Sequence, residues 1–257
     1  MHIEVRGSGT PLVMLHGWAM HGAVFAPLVA RLESRCQLHI VDLPGHGRSR
    51  DSREPLELSA VANEVAARTP PSAWLGWSLG GLVALHAAQS LPACVQSLVM
   101  LCASPRFVRA ADWPQGMDES VFRGFADDLQ RDYPATIDRF LMLEAQGSDH
   151  LREDIRRLRQ QVFAFGQPRT ASLLDGLTRL QDSDLRTGLP SLPMPSLWIA
   201  GRRDRLVSPA SMEQSAHRAG GRFLRIERGG HAPFLTHADA VADAIVDALS
   251  PQVAAAP

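Results

Sequence analysis

The sequence predicts an α/β fold, a mostly parallel sheet with helices on both faces and a helical segment set into it. Three observations carry that expectation. Short apolar runs rich in Val, Ile and Leu recur along the chain, longer stretches with helical periodicity separate them, and one stretch near 105–195 carries helical patterns alone.

In chain order, an opening strand falls near residues 3–6, and apolar runs at 12–15, 38–41, 73–76, 97–101 and 197–200 read as buried strands. Arg222–Ile226 follows a Gly220-Gly221 break and closes the set. Helical spacing marks 24–32, 58–67, 79–89, Pro209–Arg218 and Ala238–Leu249 between them. Within the strand-free stretch, amphipathic patterns lie at 121–129, 135–143, Leu151–Phe163 and 171–180. The expected organisation is a core of residues 1–104 and 196–257 with a helical cap (lid) of 105–195 over the C-terminal ends of the strands. The tail 251–257 is expected to fray.

The 257 residues carry 26 basic and 27 acidic side chains, a net charge of −1, so no overall field favours nucleic acid or an anionic membrane. Lysine is absent, and every basic residue is arginine. That excludes a P-loop, a pyridoxal phosphate Schiff base and a kinase strand lysine. Cys36, Cys94 and Cys102 are scattered and read as reduced core residues. No HExxH motif or histidine cluster argues for a metal, and Gly45-His46-Gly47 fails the dinucleotide fingerprint. With no secretory signal and no long apolar run, the expectation is a cytoplasmic monomer without cofactor, apart from membranes.

The chemistry points to Gly76-Trp77-Ser78-Leu79-Gly80, a GxSxG pentapeptide between an apolar strand and a helical pattern. That context raises the Ser78 hydroxyl on a tight strand-to-helix turn. A serine needs a base to take its proton and a carboxylate to orient that base. Among ten histidines, His231 in Gly229-Gly230-His231-Ala232-Pro233 lies just past the last strand, and Asp204 follows the strand at 197–200. The expected triad is Ser78, Asp204 and His231, in that chain order. The amides of Leu79 and Trp18 are the candidate oxyanion donors, and His16 is expected to brace its loop rather than act as the base.

Leu15-His16-Gly17-Trp18, Val41-Asp42-Leu43-Pro44-Gly45-His46-Gly47-Arg48-Ser49, Trp74-Leu75-Gly76-Trp77-Ser78-Leu79-Gly80-Gly81-Leu82-Val83-Ala84, Ala103-Ser104-Pro105 and His231-Ala232-Pro233-Phe234 together resemble the α/β-hydrolase superfamily. Within it, the chain is similar to the BioH-type family of pimeloyl-[acyl-carrier protein] methyl ester esterases of biotin biosynthesis. The resemblance implies the α/β-hydrolase fold and a serine carboxylesterase that releases methanol from pimeloyl-[acyl-carrier protein] methyl ester. It implies substrate contacts at Trp18, Ser78, Leu79 and His231, and along Phe140, Leu141, Met142, Leu143 and Glu144; the family has glutamine where this chain has Glu144. It also implies docking of the acidic acyl carrier protein on arginines of the cap. Arg139, Arg152 and Arg156 match, while Ala135 stands where a further arginine is expected. Independently, Arg152, Arg156 and Arg159 share one helical face. The competing readings are a carboxylesterase for small free esters and a non-catalytic binding module on the same scaffold.

Overall fold

The computed structural model describes residues 1–146 and 151–250, so the tail expected to fray lies outside the described residues. Among the described residues, seven strands form one sheet: β1 (His2–Arg6), β2 (Thr10–Leu15), β3 (Cys36–Asp42), β4 (Ser72–Trp77), β5 (Val95–Leu101), β6 (Ser196–Gly201) and β7 (Arg222–Ile226). Their order across the sheet is β1-β3-β2-β4-β5-β6-β7. Only β1 runs antiparallel, against β3, and the other pairings are parallel. Every residue of β4 and β6 is buried, which requires cover on both faces. The edge strands β1 and β7 are partly exposed.

Helices α1 (Ala26–Leu32), α2 (Leu58–Arg68), α3 (Leu79–Ser90), α8 (Pro209–Arg218), α9 (Pro233–Thr236) and α10 (Ala238–Leu249) accompany the sheet. α1 packs on α10 and α2 on α3. The central α3 buries residues on every side, which explains its apolar composition without an amphipathic stripe. At the first helix the structure departs from expectation. Gly22–Phe25 is a 3-10 turn, capped by the His21 ring, and the α-helix starts only at Ala26, with Pro27 in its first turn. Proline lacks an N–H and is tolerated there, so an α-helix begins naturally at that point.

Between β5 and β6, among the described residues, stand α4 (Glu119–Arg131), α5 (Tyr133–Ala145), α6 (Leu151–Phe163) and α7 (Thr170–Asp182), with no strand. Asp118 and Asp132 cap α4 and α5 through the amides of Ser120 and Ala135. The Asp132 cap and Pro134 start α5 two residues before the amphipathic pattern does. α4 packs on α7, and α5 on α4 and α6. Their buried residues, among them Phe125, Phe140, Leu158 and Leu173, join the sheet's hydrophobic cluster. The parallel register aligns Leu15 with Gly76, Trp77 with Leu101, Leu101 with Ile199 and Gly201 with Ile226. The loops after β2, β4, β5, β6 and β7 therefore leave from one edge, where such sheets bind their ligands.

Candidate active site

Ser78 follows β4 with φ +54° and ψ −118°, a backbone conformation that a non-glycine residue rarely adopts. The turn is held by its amide donating to the Leu101 carbonyl at 3.1 Å and by the Gly81 amide donating to the Ser78 carbonyl at 2.9 Å. Such a turn needs the flanking glycines. A Cβ on Gly76 would stand 2.3 Å from the Gly80 oxygen, and one on Gly80 would stand 2.3 Å from the Leu15 oxygen. Gly17, in the loop after β2, passes so close that its Cβ would meet the Ser78 Cβ at 3.2 Å.

Asp204 and His231 come together from the loops after β6 and β7. His231 Nδ1 lies 2.8 Å from Asp204 Oδ2, and neither side chain is exposed. Asp204 Oδ1 accepts the amides of Leu206 at 2.8 Å and Val207 at 3.0 Å, which fixes the carboxylate. The carboxylate places the imidazole proton on Nδ1 and leaves Nε2 as the acceptor. His231 is seated against the residue before the serine: the Trp77 indole donates to the His231 carbonyl at 2.9 Å, and the two rings stand 5.8 Å apart. Buried Nε2 makes no hydrogen bond among the described residues, so the Ser78 hydroxyl is not bonded to it here. Catalytic contacts of this kind are often long in unliganded enzymes and close when substrate binds.

The Trp18 and Leu79 amides donate to no group among the described residues. Leu79 opens α3, whose N-terminal amides and partial positive charge face the turn. Trp18 is fixed from its other end. Its indole donates to the Leu173 carbonyl of α7 at 2.8 Å, and its ring meets Phe140 edge-on at 4.6 Å. His16 braces its loop as expected: Nε2 accepts the Leu43 amide at 2.9 Å and Nδ1 donates to the Gly17 carbonyl at 2.8 Å. With both nitrogens engaged and the ring buried, desolvation and the neighbouring His46 hold its pKa well below the usual value.

Along α5, Ile137, Phe140, Leu141 and Glu144 are buried, while Met142 is 54% exposed. The helical period turns Met142 away from the face shared by the other four, so it does not stand with the inward part of the expected substrate segment. Leu143 is half-buried. Arg139 pairs with Asp128 at 2.5 Å and lies over the Phe125 ring, and Arg159 pairs with Asp138 at 3.0 Å. Arg152 and Arg156 are exposed on α6 and have no ion-pair partner among the described residues.

Two features at this edge escape a reading of the sequence. Phe125 completes the aromatic cluster around Trp18, 6.1 Å from it, but sits in an ordinary amphipathic pattern. Cys102 directly follows β5 with φ +44°, and its thiol approaches the Gly230 carbonyl at 3.8 Å. Burial and the negative Asp204 push its pKa well above the usual thiol range, so it stands there uncharged. Its place one residue past a strand end, like Ser78, was the available signal.

A serine on a strained strand-to-helix turn, with a histidine–carboxylate pair delivered by two later loops, defines the α/β-hydrolases. The chain belongs to that family, whose model, described as the alpha/beta hydrolase fold, matches residues 10–238. At finer grain, it is 56% identical over 255 residues to the pimeloyl-[acyl-carrier protein] methyl ester esterase of Stenotrophomonas maltophilia strain R551-3, covering 98% of each chain. It is 55% identical over 246 residues to the protein of the same name from Xanthomonas campestris pv. campestris strain B100, covering 95% of this chain and 97% of that one. Among solved structures, an esterase from Exiguobacterium antarcticum has a TM-score of 0.86 at 24% identity, covering 96% of this chain and 94% of that one. A bromoperoxidase from Bacillus anthracis has a TM-score of 0.87 at 21% identity with the same coverage. At those identities the structures bear on the fold alone.

Proposed function

We propose that this chain is a serine carboxylesterase that hydrolyses pimeloyl-[acyl-carrier protein] methyl ester to pimeloyl-[acyl-carrier protein] and methanol in biotin biosynthesis. The observation that carries the chemistry is buried His231, bonded through Nδ1 to Asp204 and unengaged at Nε2, against the residue that precedes the Ser78 turn. The substrate assignment is supported by the near full-length identity to esterases of that name.

In this reading the helices of 105–195 form a cap, and the carrier-bound acyl chain passes beneath it. The aromatic wall of Trp18 and Phe140, with Leu141, Leu143 and Glu144, lines its path. His231 Nε2 takes the Ser78 proton as Oγ attacks the ester carbonyl. The Trp18 and Leu79 amides donate to the oxyanion. Nε2 then returns the proton to the departing methoxide, and methanol leaves. Water repeats the cycle: His231 takes its proton, hydroxide attacks the acyl-enzyme, and Ser78 regains its hydrogen as the carboxylate is freed. Arg152 and Arg156, with Arg139 and Arg159 in their ion pairs, form the face offered to the acidic carrier.

Ser78→Ala should abolish methanol release from the carrier-bound ester and labelling by a fluorophosphonate, with the melting temperature retained. Undiminished hydrolysis by the folded variant refutes the assignment. Equal catalytic efficiency of the wild type on carrier-bound and free methyl esters would favour the free-ester reading instead.

A further inference from the structure

The sheet order sets β5 between β4, which leads into Ser78, and β6, which leads to Asp204. Cys102, the first residue past β5, therefore stands between the nucleophile and the carboxylate. It is fully buried, and its amide donates to the Ile199 carbonyl of β6 at 2.8 Å, which ties this positive-φ residue to the neighbouring strand. Its thiol lies 3.8 Å from the carbonyl of Gly230, the residue before His231. The Cys102 sulfur, an Asp204 carboxylate oxygen and a His231 ring nitrogen all lie within 4.8 Å of one another. Cys36 opens β3 and Cys94 directly precedes β5, so both lie at the opposite edge of the sheet.

We propose that Cys102, Asp204 and His231 form an inhibitory binding site for a divalent cation of the zinc class. Binding stands on these three side chains, and only the inhibition rests on the esterase reading above.

Sulfur, imidazole nitrogen and carboxylate oxygen are the donors that zinc takes, at about 2.3, 2.0–2.1 and 2.0–2.2 Å, and a tetrahedron of those bonds sets the donor atoms about 3.4–3.6 Å apart. His231 Nδ1 and Asp204 Oδ2, now 2.8 Å apart across a proton, would open by about half an ångström, and the sulfur would close by about 1 Å from the widest separation in the cluster. Rotation of three side chains covers both movements. One thiolate and one carboxylate neutralise a dication, so the filled site brings no net charge into the buried interior. The fourth position is left to water. On binding, the thiol proton leaves to solvent. The imidazole proton passes through water from Nδ1 to Nε2, because a neutral ring bound at one nitrogen carries its proton on the other. Nε2, unengaged in the resting protein, is then a donor and no longer accepts the Ser78 proton. Without the ion, the uncharged thiol leaves the Asp204–His231 pair intact.

The test adds Zn2+, Mg2+ or Co2+ to full-length wild type, Cys102→Ala, Cys102→Ser and Ser78→Ala. It follows p-nitrophenyl acetate hydrolysis, melting temperature and the absorption of the cobalt-loaded protein. Zn2+ should inhibit the wild type saturably and EDTA should restore it, while Mg2+, which prefers oxygen donors, should have no effect. Both Cys102 variants should hydrolyse the ester when no ion is added. They should need over about tenfold more Zn2+ for half-inhibition, since losing even an outer partner of a metal ligand weakens binding by that much. Co2+ should give thiolate-to-cobalt charge-transfer absorption in the near ultraviolet with wild type and with Ser78→Ala, and none with the Cys102 variants. Equal zinc sensitivity in wild type and a folded Cys102 variant would put the ion elsewhere, such as on exposed His217, and overturns the proposal. Absence of the cobalt band or of zinc inhibition in the wild type overturns it as well. Should both Cys102 variants fail to fold, Cys36→Ala and Cys94→Ala decide: the band persists in both if Cys102 is the ligand, and its loss in either refutes the site. A cobalt band in a wild type that hydrolyses no ester would leave the site standing and fail the esterase reading instead.

Discussion

His16 and His46 face one another beneath the loop after β2, with ring centroids 5.4 Å apart. Both are buried, and His46 Nδ1 donates to the Pro44 carbonyl at 2.9 Å. Desolvation, the largest influence, lowers the His46 pKa from 6.5 to about 4. The sign of the linkage follows. Between those two values the unfolded chain binds the proton and the folded chain does not, so stability is complete above 6.5 and declines as pH falls toward 4. A shift of this size corresponds to an order-of-magnitude loss of about 3 kcal/mol below pH 4. Buried His16, whose pKa desolvation also lowers, adds to the decline in the same direction. The melting temperature should therefore drop between pH 6.5 and 4, and His46→Asn, whose amide can still reach Pro44, should flatten part of that slope. An unaltered slope in the folded variant would show that His46 does not titrate on unfolding.

α6 carries the exposed pair Arg152 and Arg156, while Arg139 and Arg159 are tied to acidic partners. An unpaired surface arginine retains more of its field for an incoming anion than one already neutralised. Replacing Arg152 and Arg156 together with alanine should raise KM for the carrier-bound ester several-fold at low salt, with KM for a small free ester unaltered. The difference should shrink as salt is added, because exposed charges are screened over about 10 Å at 0.1 M. Equal KM values in the double variant and wild type would place docking elsewhere. The sequence predicted α6 and the shared face of its arginines because both follow from local spacing. It did not reveal that Asp128 of another helix holds Arg139, since that pairing depends on how α4 packs on α5. The strands were legible for the same local reason: burial on both faces leaves continuous apolar runs such as the one ending β4. The gathering of Ser78, Asp204 and His231 at one edge was legible because Ser78 directly follows a strand and Asp204 and His231 stand in the loops after two later ones. Cys102 shares that position, yet a lone cysteine in an apolar run reads as core. Glu144 entered the expected substrate segment through the resemblance alone, for a charge on an amphipathic helix ordinarily marks the solvent face, and here it ends the buried one.

Across the whole molecule, the helices between β5 and β6 are fastened to the sheet at several separated points. The Leu185 amide donates to the Pro105 carbonyl at 2.9 Å, closing the segment where it leaves and returns. The Gln89 side chain of α3 donates to the Leu185 carbonyl at 2.9 Å, and Arg179 of α7 pairs at 2.8 Å with Glu57, the residue before α2. Farther in, the Trp18 indole holds the Leu173 carbonyl, and the buried faces of α4, α5, α6 and α7 belong to the same apolar cluster as β2, β4 and β5. A separate domain would carry its own core behind a thinner, more polar interface. With one shared core, losing the four helices would expose apolar surface on the sheet as well as on themselves, so partial unfolding gains little chain entropy for a large hydrophobic loss. The protein should unfold in a single cooperative transition, with equal calorimetric and van't Hoff enthalpies and coincident tryptophan fluorescence and far-ultraviolet dichroism curves. Two resolved transitions, the first removing helical signal while Trp74 and Trp198 of the sheet remain buried, would show that the four helices form an independent unit after all.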